Sequence, residues 1–346
     1  MVSIAIIGQE GSGRSSLSAK LGKKGNVSDI TMYDFAKGGQ ILTIIDSSGY
    51  PASPKPLMSA LGMADIVLLC VPPSGMNAVT GECVIAVDLL GSTRGIIVQT
   101  MSDRSNPYEL EENAKKIRLL LKGTTAQDWV IIPLSTTTFE GIEQLKETIN
   151  LFDKEVATEN LTKNGLPART VVDHSFNVKG IGSVILGRVI QGTIHKQDKV
   201  MVHPVGQEIE IRNIQMHDED KTQAGTGSRV GLALKGIQAK DVDRGHIISN
   251  IEISSSDIEL ECSVSKFSPG LSVGSTLHLY VTLQSTPVKI SKISLDGREM
   301  TKAPAGSVCR VLINAGEVIS YDKKDVFVLV DLNNQKQRFI ARGLLA

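Results

Sequence analysis

The chain has 346 residues, more than one ordinary domain of roughly 100–200 residues accommodates, so two or three domains are expected. Lys+Arg and Asp+Glu number 37 each, and the zero net charge excludes a globally basic nucleic-acid binder while leaving room for local patches. At 41% hydrophobic and 4% aromatic, the chain can bury aliphatic cores and is not disordered.

Residues 2–7 form an apolar run with no basic lead, expected as a buried strand rather than a leader peptide. A Gly/Ser loop and a helix over 16–21 follow, then a strand over 28–35. Buried-strand runs recur at 41–45, 66–71, 95–99 and 130–133, with helices expected at 56–63, 81–90, 110–122 and 141–152. Buried strands alternating with helices mean a parallel sheet covered on both faces. The stretch 153–165 reads as a linker. Beyond Leu166 the period becomes two, with short strands at 184–190, 199–203, 208–214, 229–234 and 246–249. A second series follows at 258–267, 275–284, 287–294, 307–314 and 325–332, after a polar, Ser-rich break at 250–257. Many short strands at this spacing point to closed barrels or sandwiches.

No apolar stretch approaches the roughly 20 residues of a bilayer-spanning helix. Cys70, Cys83, Cys262 and Cys309 are far apart and form no Cys-x-x-Cys pair. Reduced thiols in a cytoplasmic protein are expected, without a zinc site or disulfide framework. Neither DNA nor a membrane is expected as a partner.

Gly8-Gln9-Glu10-Gly11-Ser12-Gly13-Arg14-Ser15 follows the first strand and opens the first helix. It fits the phosphate-loop pattern G-x-x-x-x-G-K-[ST], with arginine replacing lysine. Gly11, Ser12 and Gly13 are small enough for successive amides to wrap phosphates at the N-terminus of a helix that continues through Ser16. Ser15 supplies a hydroxyl suited to Mg²⁺. Arg14 keeps the charge but is bulkier and forked. The bland alternative is a Gly-rich strand-to-helix turn with no ligand.

Asp46-Ser47-Ser48-Gly49 closes the strand at 41–45 in the form D-x-x-G, and Thr100-Met101-Ser102-Asp103 ends the strand at 95–99. Ser135-Thr136-Thr137 follows the strand at 130–133. In that order they resemble the loops of a GTPase: Asp46 for Mg²⁺, Gly49 for the terminal phosphate, Asp103 for the guanine edge, Ser135 and Thr136 for the last loop. At Thr100 and Met101, where a GTPase carries Asn and Lys, the match is eroded.

Further matches extend over essentially the full length. Gly62, Ala64-Asp65, Gly81-Glu82, Leu89-Leu90-Gly91 and Phe139-Glu140-Gly141-Ile142 continue the pattern. The most specific run is Gly180-Ile181-Gly182, Gly187-Arg188-Val189, Gly192-Thr193-Ile194, Asp198-Lys199-Val200, Lys235-Gly236-Ile237 and Asp243-Arg244-Gly245. Arg338-Phe339-Ile340-Ala341-Arg342 is a looser match. The chain resembles translation elongation factors of the Tu and selenocysteine-specific type. The resemblance implies a multidomain α/β + β fold: a P-loop GTPase-like doubly wound α/β domain over 1–155, a linker over 156–165, and two β-barrels over 166–250 and 251–346. It also implies GTP or GDP with Mg²⁺ held by Ser15 and Asp46, and tRNA or the ribosome as partners.

The departures bear on activity. Between Ser15 and Asp46 little chain is left for the switch loop that brings a Thr to Mg²⁺ and the terminal phosphate, and Thr31 falls in an expected strand. Tyr50 replaces the family's water-positioning His, so no catalytic residue is assigned. Losing positioned groups of this kind slows a reaction by several powers of ten. Three readings stay open: a guanine-nucleotide binder with weak or absent hydrolysis, a nucleotide-independent module holding RNA or protein on its barrels, and a fast GTPase elongation factor.

Residues 1–164 carry 15 basic and 18 acidic side chains, and residues 266–346 carry 11 and 6. A basic last domain suits a tRNA stem; equally, Lys289, Lys292, Lys302, Lys323 and Lys324 suit solvated strand edges. No stretch resembles an appended messenger-binding domain, so hairpin recognition is not expected.

Overall fold

Six of the seven residues in Val2–Gly8 (β1) are apolar or Gly, and all seven are buried. The computed structural model describes residues 1–37, 40–334 and 337–346. They divide into two units, Met1–Ala157 with Asn333–Phe339, and Thr158–Leu332 with Ile340–Ala346. In the first unit β1 is followed by α1 (Arg14–Leu21), β2 (Lys23–Val27), β3 (Thr31–Lys37), β4 (Gln40–Asp46), α2 (Pro54–Gly62), β5 (Ile66–Val71) and α3 (Ala78–Leu90). Then come β6 (Gly95–Thr100), α4 (Pro107–Leu121), β7 (Val130–Leu134) and α5 (Ile142–Lys163).

The sheet order is β2-β3-β4-β1-β5-β6-β7. β1 pairs parallel with β4 and β5, and β5, β6 and β7 continue in parallel. β2 and β3 add an antiparallel edge. Parallel strands fully buried as in β1, β5 and β6 need cover on both faces. Helix starts are well specified. Ser53 and Asn77 accept from first-turn amides of α2 and α3, and Asn106 and Glu109 form a capping box on α4. Because β1, β4, β6 and β7 run in parallel, Gly8, Asp46, Thr100 and Leu134 end at one edge, the carboxyl edge where such sheets bind ligands.

One strand carries no signal in the sequence, and one local expectation needs correction. The 23–27 segment is a strand, although Lys-Lys-Gly-Asn-Val has no apolar alternation; it pairs through its backbone at the sheet edge, where lysines are usual. The stretch expected as a linker is helical to Lys163. Its low hydrophobicity marks an exposed helix face rather than a loop, with Val156 buried.

The second unit holds two closed barrels. In the first, the strands run Lys199–His203, Ile247–Ser249, Arg169–Val178, Gly182–Gln191, Arg229–Lys235 and Gln207–Met216, and the last pairs back to the first. In the second they run Thr276–Val281, Phe327–Val330, Phe339–Leu345, Ile253–Val264, Val308–Tyr321 and Gln284–Leu295, again closing. Arg169–Val178 lacks a clear signal because a register shift after Val172 breaks its alternation. The Ser-rich break is shorter than expected: from Ile253 it is already strand, with Ser254 opposite Ser320 and their hydroxyls 3.0 Å apart. Gly192 must be glycine, since at φ 73° a Cβ would lie 2.5 Å from the Leu166 carbonyl oxygen. No helix among the described residues is long and apolar enough to cross a membrane.

Within this unit Arg169, 4% exposed, donates to both carboxylate oxygens of Glu252 (2.5 and 3.0 Å) and both of Asp325 (3.1 and 2.7 Å). It ties the start of the first barrel to the inter-barrel connection and to a loop of the second. Burial opposes its charge, and the hydrogen bonds to the two carboxylates outweigh that, raising its pKa. Replacing one member of a buried ion cluster leaves its partners uncompensated, which costs about 3–5 kcal/mol. Arg169→Met is therefore expected to lower the urea midpoint of the barrel unit by that equivalent, read by circular dichroism; an unchanged midpoint would show that the cluster does not hold the barrels.

Candidate phosphate-binding site

The turn after β1 is shaped by glycines. Gly8, Gly11 and Gly13 have φ of 145°, 72° and 81°. At Gly8 a Cβ would lie 2.5 Å from the Cys70 carbonyl oxygen, so no other residue fits. Gly13 starts α1 without a side-chain cap, and no carboxylate lies in the first turn. The opening amides of α1, at Arg14, Ser15 and Ser16, thus keep their donors for a ligand, at the positive end of the helix dipole.

Asp46, at the end of β4, is fully buried. Its Oδ2 accepts from Ser15 Oγ at 2.7 Å, while Oδ1 has no partner among the described residues. Burial pushes this carboxyl above its ordinary range, opposed by the Ser15 hydrogen bond and by Arg14 and Lys24. A buried, half-satisfied carboxylate beside a hydroxyl is a hard-oxygen donor pair suited to Mg²⁺. Ser12 Oγ, also buried, likewise lacks a partner. Among the described residues no cluster of three or more His, Cys, Asp or Glu offers another metal site.

Arg14 does not extend along the phosphate turn. Its Nη1 donates to the Ser47 carbonyl and hydroxyl oxygens at 2.9 Å each, and its Nη2 to the Tyr50 carbonyl at 3.1 Å. Gly49 donates its N–H to the Asp29 carbonyl in the β2–β3 turn at 2.9 Å, and a Cβ there would lie 2.7 Å from that oxygen. Thr31, in β3 as expected, reaches Ser48 through their hydroxyls at 3.0 Å.

Tyr50 is 1% exposed. Its hydroxyl donates to Glu82 Oε2 at 2.9 Å, and the Arg338 guanidinium lies 5.4 Å from its ring centre. Arg338 also donates to Glu82 from Nε, Nη2 and its own backbone N–H, and to the Pro51 carbonyl. Burial, then the neighbouring Cys83 and Glu82, pushes the Tyr50 hydroxyl far above its ordinary pKa, so it stays a neutral donor.

Thr100 Oγ1 lies 2.8 Å from the Ser12 carbonyl and 3.2 Å from that of Val71, tying the phosphate turn to the ends of β5 and β6. Met101, at φ 55°, packs its Cε 3.3 Å from where a Gly13 Cβ would stand. Asp103 is exposed in the short 3-10 turn Ser102–Arg104. Ser135 is buried and accepts from the amides of Thr137 and Thr138 at 3.1 Å, so its hydroxyl shapes its own loop; Thr136 beside it is half-buried.

Gln9, Glu82 and Arg338 were not singled out as site residues. Gln9 donates to the Gly75 carbonyl at 3.1 Å and accepts from Asn77 N–H and Thr80 Oγ1, stitching the turn to the start of α3. It occupies an unspecified motif position, so no pattern signals it. Arg338 lies 256 residues from Glu82, beyond any sequence spacing rule.

A family model described as elongation factor Tu domain 2 matches residues 182–249. An uncharacterized protein of Methanocaldococcus jannaschii is 28% identical over 94% of this chain and 94% of its own length. The selenocysteine-specific elongation factor of the same organism is 25% identical over 90% of this chain and 68% of its own. Elongation factor 1-alpha of Metallosphaera sedula is 25% identical over 82% and 72%. The crystal structure of translation elongation factor SelB from Methanococcus maripaludis, in complex with the GTP analogue GppNHp, superposes with TM-score 0.85 at 23% identity, over 99% of this chain and 78% of that one. That likeness shows the shared fold.

A raised Asp46 pKa means the folded state binds a proton more readily than the unfolded chain. The charged carboxylate therefore opposes folding at neutral pH, and that penalty fades as pH falls through its folded pKa. Asp46→Asn is expected to leave the melting temperature at pH 7 unchanged or raised, and to abolish any Mg²⁺-induced thermal shift. A lowered melting temperature would contradict this assignment.

Proposed function

We propose, from the premise that the chain fits the translational GTPase family of elongation factor Tu and the selenocysteine-specific elongation factors, that it binds a guanine nucleotide at residues 8–16 and hydrolyses it weakly or not at all. The observation that carries this reading is the uncapped first turn of α1, opened by Gly11 and Gly13 and placed against the half-satisfied carboxylate of Asp46. The amides of Gly13, Arg14, Ser15 and Ser16 hold the phosphates. Asp103, exposed beyond Met101, accepts from the guanine edge, and Ser135 and Thr136 support the base loop. Ser15 and Asp46 would hold Mg²⁺, which when bound neutralises phosphate charge.

Hydrolysis lacks a positioned base. The side chain at position 50 is engaged with Glu82 and Arg338, and the first unit has no histidine before residue 158. Between α1 and β4, Lys23–Val27 and Thr31–Lys37 are folded into β2 and β3.

The reading is tested by calorimetric titration with GDP, GTP and ATP. Heat with the guanine nucleotides and none with ATP supports it; no heat with any of them overturns it. Asp103→Ala should weaken GDP binding by about tenfold or more, the loss of one charge-assisted hydrogen-bonding partner. Tyr50→His should not restore phosphate release, since the new ring would replace a side chain held against Glu82 and Arg338; multiple turnover by that variant would contradict the assignment.

A second reading, binding of RNA or protein without nucleotide, is favoured by a groove of about 580 Å³ on the first barrel. Leu186, Gly231 and Ala233 line it with Arg212, and Phe176 and Ile181 beside them are 37% and 47% exposed. A mobility shift with total tRNA over a salt series, compared with Arg212→Glu, tests it: the slope counts phosphate contacts, and an unshifted tRNA excludes the RNA form.

A further inference from the structure

Resting on the nucleotide reading above, we propose that the site takes nucleoside diphosphates in preference to triphosphates, because only one of the two loops that meet there has donors left to give. The loop after β1 has them. Of its backbone amides, Ser12 N–H is tied to the Gln9 carbonyl at 3.2 Å, while the helix opening at Gly13 carries no side-chain cap and no first-turn carboxylate. That set wraps a pyrophosphate-sized anion.

The facing loop is closed to an anion. Ser47 N–H donates to the Ile6 carbonyl at 3.3 Å, Ser48 N–H to Asp46 O at 2.8 Å, Gly49 N–H to Asp29 O at 2.9 Å and Tyr50 N–H to Ser47 O at 2.9 Å. All four amides are therefore engaged inside the protein. The cation that could have served a further phosphate, Arg14, donates to the carbonyls of Ser47 and Tyr50 in the same loop. What the loop offers is carbonyl oxygen, repulsive to phosphate oxygen.

The loop is also pinned on three sides. Asp29 in the β2–β3 turn holds Gly49, and Thr31 in β3 holds Ser48. Arg14 holds it from α1, and Glu82 with Arg338 holds the Tyr50 ring. Turning Gly49 N–H toward a third phosphate would break its bond to Asp29 and disturb the Arg14 bonds. Each unpaired polar group of this kind disfavours binding.

The test is calorimetric titration of the full chain with GDP and with GppNHp, a triphosphate analogue that hydrolysis cannot confuse, in one Mg²⁺ buffer. GDP is expected to bind about tenfold tighter or more. Equal binding, or tighter binding of GppNHp, overturns the proposal and leaves the nucleotide reading standing. Silence with both ligands defeats that reading and this proposal together, so the two failures differ in their data. Arg14→Lys, which releases the Ser47 and Tyr50 carbonyls, should narrow the ratio between the two ligands. A variant that keeps its GDP affinity and an unchanged ratio overturns the part given to Arg14.

Discussion

The first unit depends on an imbalance of backbone donors at the carboxyl edge of its sheet. The turn between β1 and α1 ends in a helix start with no cap, whereas the loop after β4 has every amide from Ser47 to Tyr50 paired internally. Uncapped helix starts are normally satisfied by side chains, water or ligand. Here three glycines with positive φ set the backbone so that no side chain of the turn caps it. One loop keeps open backbone donors, and its neighbour is held by its own hydrogen bonds.

Arg14 links the two. At a phosphate turn a lysine is a point charge on a flexible stem, but a guanidinium is a fork whose planar geometry suits paired acceptors. The Ser47 and Tyr50 carbonyls, with the Ser47 hydroxyl, supply such acceptors. The guanidinium charge thus serves the scaffold. Tyr50 extends the same chain of contacts outward: its carbonyl accepts from Arg14 and its hydroxyl donates to Glu82, which Arg338 grips from three nitrogens. Position 50, expected from the resemblance to stand where water is positioned, here serves anchoring.

Much of this architecture was legible from the residues. The buried runs of β1, β5 and β6 have no polar face, so their place inside a parallel sheet followed from hydropathy alone. Glycine spacing marked the tight turn between β1 and α1, and the short distance from Ser15 to Asp46 left room for little beyond β2 and β3. The misses share a cause. β2 is held by backbone pairing and carries no side-chain pattern, and the exposed end of α5 reads as polar chain whether helical or not. The partners of Arg14 and Tyr50 were illegible, because a guanidinium's acceptors and a buried hydroxyl's carboxylate are set by tertiary approach across 33 to 36 and 32 residues. Sequence placed Arg14 by its motif; only packing reveals that it faces the scaffold.

The most direct check on the donor imbalance is amide hydrogen exchange resolved to residues 8–16 and 46–50, with and without GDP. The account expects fast exchange at 13–16 in the free protein, slowed by GDP, and slow exchange at 47–50 that the ligand does not change. Protection already complete at 13–16 without ligand, or a GDP-dependent change at 47–50, would contradict it.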